Sequence, residues 1–316
     1  DASVLCEFRS RLIQREAKYL LFDILLNWCR DQQLVKAGGR QRTDSTHILA
    51  SVRALNRMEL VGETMRHALN QLAVVAPDWL QTVSQPEWLD RYARRSEDDR
   101  LPRKQAAREA LVSMIGQDGW ALCQASVAEN APPWLRELPA LQALRRIWLQ
   151  NYYWDGDQLL WREADNMPPS ARFISSPHDD EAHYARKHTT QWIGYKVHLT
   201  ETCDDDQPHL ITHVETTIAP AADGAATPLI HAGLEERHLL PQTHIVDTGF
   251  LDAELLRESR QTYDVDLFGP TRADYRWQAR EGLGFDAQQY YGAMPIQSRE
   301  SMVESGRLAY RIAKIA

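Results

Sequence analysis

Two segments far apart in the chain each have the pattern of a short strand that carries an aspartate. Asp44 lies within residues 43–47, and Asp247 ends the strand-like run 244–246, with Gly249 following two residues later. An Asp-Ser-Thr sequence is also typical of a helix N-cap, so Asp44 on its own supports either structure. Two acids that one sheet brings together are what a two-metal phosphoryl-transfer site needs.

The acidity of the chain limits how it can bind nucleic acid. Its 316 residues carry a formal net charge of -8, whereas most nucleic-acid-binding domains are basic. Any contact with DNA must therefore depend on local basic patches. Candidates lie in the arginine-rich stretch 91–108 and in a later strand, although such a stretch is more often a solvated helix face. The candidate DNA-binding residues are Arg94, Arg95, Arg103, Lys104 and Lys196.

Length and cysteine content narrow the class of protein further. The chain is long enough for two domains or for one domain with a large insertion. Its four cysteines are scattered, which argues against a zinc site or a disulfide framework and predicts a cytoplasmic protein. No apolar run reaches the length of a membrane span.

Hydrophobic periodicity predicts a mixed α/β order of elements. We expect helical structure over 4–29 and 50–150, an antiparallel hairpin over 195–199 and 210–216, and helices over 227–240 and 251–260. Strands are expected over 42–48, 244–246 and 263–268, the last two parallel. Ser176-Pro177 followed by acids predicts a further helix start, an interpretation we prefer to metal binding by His178 and His183.

Several of these segments resemble bacterial insertion-sequence transposases of the DDE class. They are residues 39–47, 55–57, 62–64, 192–202 and 246–250, and the likeness extends from about residue 1 to about residue 285. The resemblance implies a ribonuclease-H-like catalytic domain over 40–269, with a large all-helical insertion at about 50–166. A helical segment over 1–39 precedes it, and a poorly defined tail over 270–316 follows.

The same resemblance implies a chemistry and a partner. Asp44 and Asp247 match the first two catalytic acids, which hold two Mg²⁺ or Mn²⁺ ions during DNA strand cleavage and transfer. The partner would be the terminal inverted repeats of an insertion sequence, bound by a homo-oligomer of the transposase.

The third catalytic acid of that class, a glutamate, has no match. Only Glu281, Glu300 and Glu304 follow the last predicted strand, and the sequence around them departs from the family. We therefore expect an incomplete copy, truncated at both ends, that does not catalyse transposition. Two alternatives stay open: an inactive remnant that only binds DNA or an intact transposase, and a ribonuclease-H-like nuclease unrelated to transposition.

Overall fold

The protein is a mixed α/β structure in the computed structural model, which describes residues 2–15, 17, 19–96, 101–187 and 189–270. The expected tail, with Glu281, Glu300 and Glu304, lies outside the described residues. None of the described helices is both long and apolar enough to cross a membrane. The helices are α1 (Ala2–Gln14), α2 (Leu20–Asp31), α3 (Arg57–Val75), α4 (Pro77–Val83), α5 (Pro86–Tyr92), α6 (Gln105–Ala125), α7 (Pro139–Asn151), α8 (Thr227–Glu236) and α9 (Ala253–Tyr263). The strands are β1 (Arg40–Leu49), β2 (Tyr152–Asp155), β3 (Gln158–Trp161), β4 (His183–Lys187), β5 (Thr190–Thr202), β6 (Ile211–Ile218), β7 (Thr243–Val246) and β8 (Asp266–Phe268).

The chain forms two compact units. The first contains Asp1–Thr46, Val197–Thr217 and the described residues from Ala221 onwards, and the second contains His47–Lys196 and Ile218–Pro220.

The sheet of the first unit has the strand order β5-β1-β7-β8, and β6 pairs with β5. Strand β1 is parallel to β7, and β7 is parallel to β8 across the connection made by α9. The parallel pair predicted from the strand–helix–strand pattern is therefore confirmed. Hydrogen bonds from Cys203 N to Arg40 O and from Arg42 to Glu201 show that β5 runs antiparallel to β1.

An apolar cluster fills the first unit. Ile230 and Leu234, one turn apart on α8, pack with Val246 of β7 and with Phe250. Leu26 of α2 belongs to the same cluster, so the predicted N-terminal helical segment contributes to this core. The pattern over 4–29 does not form one helix, because α1 ends at Gln14 and α2 begins at Leu20.

The second unit has a core of its own, made mainly by α3, α6 and α7. Helix α3 begins after Asn56, whose side chain accepts hydrogen bonds from Met58 N and Glu59 N, while the Glu59 carboxylate accepts one from Asn56 N. This capping box explains why the helix begins seven residues after Ala50, the start that periodicity predicted. The fully buried side chains of the core include Leu60, Met65, Leu72, Leu122, Leu141, Leu144 and Ile147.

The expectation of an all-helical insertion over 50–166 is wrong at its end, where β2 and β3 form an antiparallel hairpin. Tyr152, Trp154 and Trp161 are residues that favour strands. The turn between Asp155 and Gln158 has Gly156 at φ 55°, a positive value that suits a two-residue hairpin loop.

The predicted helix start at Ser176 is also wrong. The chain turns there without a helix, and Ser176 Oγ accepts a hydrogen bond from His178 N at 3.3 Å. The capping chemistry was correctly identified, but no apolar helical repeat follows it to extend the turn.

Candidate functional site

Asp44 lies within strand β1, so its interpretation as a helix cap is wrong. The strand alternates: Gln41 and Thr43 are buried, whereas Asp44 is exposed, on the same face as Arg42. Asp44 Oδ1 accepts a hydrogen bond from the next backbone N–H, that of Ser45, at 2.7 Å. The strand thus presents this carboxylate on the side opposite the buried polar face of β1.

Asp247 directly follows strand β7 and begins a 3-10 turn, Thr248–Phe250. Its Oδ1 accepts a hydrogen bond from Gly249 N at 2.9 Å, and the residue is exposed. Phe250 is fully buried in the apolar cluster and so anchors the turn that follows Asp247. The buried strand and the anchored turn together orient Asp247.

The sheet brings the two aspartates close together. Strands β1 and β7 are neighbours, and Thr43 pairs in register with Val246, so Asp44 is the next residue of β1 and Asp247 is the residue that follows β7. Adjacent strands lie about 4.8 Å apart, so the backbone positions of Asp44 and Asp247 follow two residues that are direct neighbours in the sheet. A shared metal site would require the two segments to be neighbouring strands of one sheet, and β1 and β7 are such neighbours.

The chemistry of these donors fits a hard divalent cation. Mg²⁺ prefers carboxylate oxygens and keeps several of its waters, which requires ligands that water can reach. Both carboxylates are exposed, and within the described residues each has one oxygen, Oδ1, engaged by a backbone N–H. However, no group of three His, Cys, Asp or Glu side chains in the described part of the chain is arranged to hold a metal ion.

Asp223 is an acid near this site that sequence reasoning did not consider. A Cβ atom placed on Gly249 would lie 3.0 Å from its Oδ2, so the Asp223 carboxylate sits beside the turn that follows Asp247. Asp223 opens a short 3-10 helix, Asp223–Ala226, ahead of α8. The signal in the sequence was an acid followed by Gly224 between a strand and a helix, a position where loops often place functional side chains.

A chain of buried hydrogen bonds lies on the face of the sheet opposite Asp44. Thr43 Oγ1 is 2.7 Å from both Thr200 Oγ1 and His244 Nε2, and His244 Nδ1 is 2.8 Å from His231 Nε2. Burial lowers the pKa of His231 to about 4. Burial, followed by the nearby His231 and His213, lowers that of His244 to about 3. Sequence reasoning missed this network because residues 244–246 resembled a purely apolar strand.

The predicted DNA-binding residues lie in the second unit. Arg94, Arg95, Arg103 and Lys104 are exposed between α5 and α6, and Lys196 is half-buried on β5. His47, three residues after Asp44, stacks on Trp192 with ring centroids 4.7 Å apart, so its ring packs within the second unit. Comparison of the chain with models of protein families, with curated proteins and with solved structures finds no match.

Proposed function

We propose that this chain is the catalytic domain of a DDE-class DNA transposase, with a ribonuclease-H-like sheet that carries a metal-dependent site for DNA strand cleavage and transfer. The observation that supports it best is the parallel pairing of β1 and β7, in which Asp44 and Asp247 directly follow the paired residues Thr43 and Val246. DNA is too large to enter an enclosed cavity, so an enzyme that transfers its phosphoryl groups needs metal ligands at the surface. The exposed carboxylates of Asp44 and Asp247, which follow paired residues of β1 and β7, meet this requirement.

Asp44 and Asp247 would hold Mg²⁺ or Mn²⁺ through their carboxylate oxygens. Bound there, the metal ions would activate a water or a DNA 3′-hydroxyl and stabilise the leaving oxygen. The contribution of the chain is orientation: Ser45 N and Gly249 N each fix one carboxylate oxygen, and two hydrogen-bonded strands fix the backbone. Such rigidity matters because a misplacement of about 1 Å can cost about a hundredfold in rate.

A second function, DNA binding without catalysis, is favoured by one observation. Two aspartates offset only part of the charge of two divalent ions, and the described residues hold no third ligand grouped with them. In that case the chain would act as an inactive relative that binds DNA or an intact transposase. The glutamates that could complete the site, Glu281, Glu300 and Glu304, lie outside the described residues.

A strand-cleavage assay tests the catalytic proposal. The full chain is incubated with Mn²⁺ and a labelled DNA duplex that carries insertion-sequence ends, in parallel with Asp44→Asn and Asp247→Asn variants. The matched control is Asp205→Asn, because Asp205 is also an exposed acid of the first unit but pairs with Arg40. If the wild-type chain cleaves the duplex through this site, either aspartate change should reduce cleavage by at least about a hundredfold, while the control retains it.

The products decide among the alternatives. Metal-dependent cleavage at the ends that both aspartate changes abolish supports the transposase, and strand joining separates it from a simple nuclease. Loss of activity in one of Glu281→Gln, Glu300→Gln or Glu304→Gln would identify the third acid. If the wild type binds the duplex but never cleaves it, the non-catalytic function replaces the proposal.

A further inference from the structure

The second unit contains a cavity of about 690 Å³ whose wall is rich in arginine. It lies beside the first half of α3, and three guanidinium groups line it, those of Arg53, Arg66 and Arg95. Among the described residues that line it, the only carboxylate is that of Glu63. The whole chain is acidic, so three arginines on the wall of one cavity do not follow from its overall composition. What holds them there is found in their contacts.

Glu63 is bound within the wall and does not face the cavity as a free acid. Its two oxygens pair with Arg66, Oε2 with Nε at 2.8 Å and Oε1 with Nη2 at 2.5 Å, and Oε1 also lies 2.9 Å from His178 Nε2. Burial raises the pKa of Glu63, but the bonds from Arg66 and His178 outweigh it and leave the pKa below its usual value. A guanidinium has five N–H donors, so Arg66 is held in place with donors to spare.

Arg53 is held in the same way by a second buried acid of α3. Its Nη2 lies 2.6 Å from Oε1 of Glu59, whose side chain is only 4% exposed, whereas that of Arg53 is 61% exposed. Glu59 and Glu63 are four residues apart and therefore share one face of the helix. Buried carboxylates are costly unless paired, and here both orient arginines that line the cavity.

A close approach of backbone and side chain brings the third arginine to the same wall. A Cβ atom on Gly62 would lie 2.3 Å from Ser96 Oγ, so Ser96 packs where only a glycine leaves room. The neighbouring Arg95 is exposed and lines the cavity. Glycine in a helix interior costs about 1 kcal/mol relative to alanine, a cost that the docking of this segment explains.

We propose that this cavity binds a phosphate ester, with its oxyanion held by Arg53, Arg66 and Arg95. Guanidinium forks match phosphate oxygens bidentately, and fixed ones lose little entropy on binding. The volume exceeds what a lone phosphate fills and lies in the range of about 300–1,000 Å³ that is usual for ligand sites. In naming the DNA backbone as the source of the phosphate, the inference rests on the proposed function. A free nucleotide is the other source of the same chemistry.

Titration calorimetry on the full chain tests the cavity, with inorganic pyrophosphate as the probe. Arg95→Gln and the double variant Arg53→Gln/Arg95→Gln remove exposed groups, and Arg66→Lys keeps the charge but loses the fork. Arg172→Gln is the matched control, because Arg172 is an exposed arginine of the same unit outside the cavity. We expect affinity to fall at least about tenfold in the double variant and in Arg66→Lys, with the control unchanged.

Equal pyrophosphate affinity in all variants, or no binding by the wild type, would overturn the inference. If the double variant does not fold, Arg95→Gln alone decides: a lower pyrophosphate affinity supports the inference, and an unchanged affinity overturns it. A short DNA oligonucleotide then identifies the source: parallel loss of its binding and competition by pyrophosphate indicate the DNA backbone, whereas unchanged DNA binding indicates a free phosphate ester. Cleavage that depends on Asp44 and Asp247 is measured separately, so failure of this inference and of the proposed function remain distinguishable.

Discussion

A buried hydrogen bond between Thr43 and His244 supports the backbone next to Asp44, whose side chain lies on the exposed face of the sheet. Thr43 precedes Asp44 on β1, and its hydroxyl bonds to His244 of β7, the strand that Asp247 follows. The bond therefore links the two strands that carry the aspartates at a point one residue from Asp44. With lowered pKa values, His244 and His231 stay uncharged at neutral pH, so the link is made without a buried charge.

We predict that the free energy of unfolding falls as the pH drops from about 6.5 towards 4. Unfolded histidine has a pKa of about 6.5, whereas that of folded His231 is about 4 and that of folded His244 about 3. Between these pH values the unfolded state binds protons that the folded state does not bind. Each histidine therefore lowers the free energy of unfolding by up to about 1.4 kcal/mol for every pH unit. Urea unfolding is measured at a series of pH values from 7 to 4. The free energy of unfolding should fall less steeply with pH in His231→Gln than in the wild type, and as steeply as in the wild type in His209→Gln, where the histidine is exposed. Identical slopes in all three would refute the shift.

At the scale of elements, hydrophobic periodicity predicted helix α8, whose buried residues lie on one face, whereas strand β7 was predicted from a short apolar run. It did not predict where α3 begins, since that depends on the Asn56–Glu59 capping box. It also missed the β2–β3 hairpin, where tyrosine and tryptophan suit a strand as well as a helix face. Two strands that each carry an aspartate suggested a shared site, but no local pattern specifies which strands of a sheet are neighbours, so the pairing of β1 with β7 is seen only in the structure.

Helix α6 packs closely against Trp148 at Gly119, although glycine in the middle of a helix counts against a helix prediction. A Cβ atom on Gly119 would lie 1.9 Å from Cζ2 of Trp148, and that indole is held by a hydrogen bond from Nε1 to Gly116 O at 2.9 Å. We predict that Gly119→Ala destabilises the protein by about 1–2 kcal/mol. Overpacking costs about 1–3 kcal/mol, and this overlap with a buried, hydrogen-bonded indole belongs at the upper end, about 2–3 kcal/mol, from which the gain of about 1 kcal/mol in helix propensity is subtracted.

Urea unfolding followed by tryptophan fluorescence measures this change, with Gln117→Ala as the control. Gln117 is exposed on the same helix, so its substitution should stay within about 0.5 kcal/mol of the wild type. A Gly119→Ala protein as stable as the wild type would mean that Trp148 can move aside without loss.

For the molecule as a whole, the question is how an acidic chain could bind DNA. With a net charge of -8, long-range attraction to DNA is unfavourable, so affinity would come from cations that touch phosphates. Each such contact releases counterions and adds about 0.9 to the slope of log affinity against log salt. The slope of log affinity against log salt therefore gives the number of phosphate contacts, whatever the net charge of the chain.

We predict that Arg103→Gln/Lys104→Gln lowers that slope by about 1.8, as two lost phosphate contacts require. The control, Arg257→Gln/Arg260→Gln, removes the same charge from exposed arginines of α9 that pair with Glu254 and Asp264. If net charge alone governed binding, both variants would weaken it alike; if the basic stretch before α6 contacts DNA, only the first would change the slope. Fluorescence anisotropy of a labelled duplex at a series of salt concentrations distinguishes the two. Equal slopes for the wild type and the first variant would show that this basic stretch is a solvated surface and that the DNA-binding residues lie elsewhere in the chain.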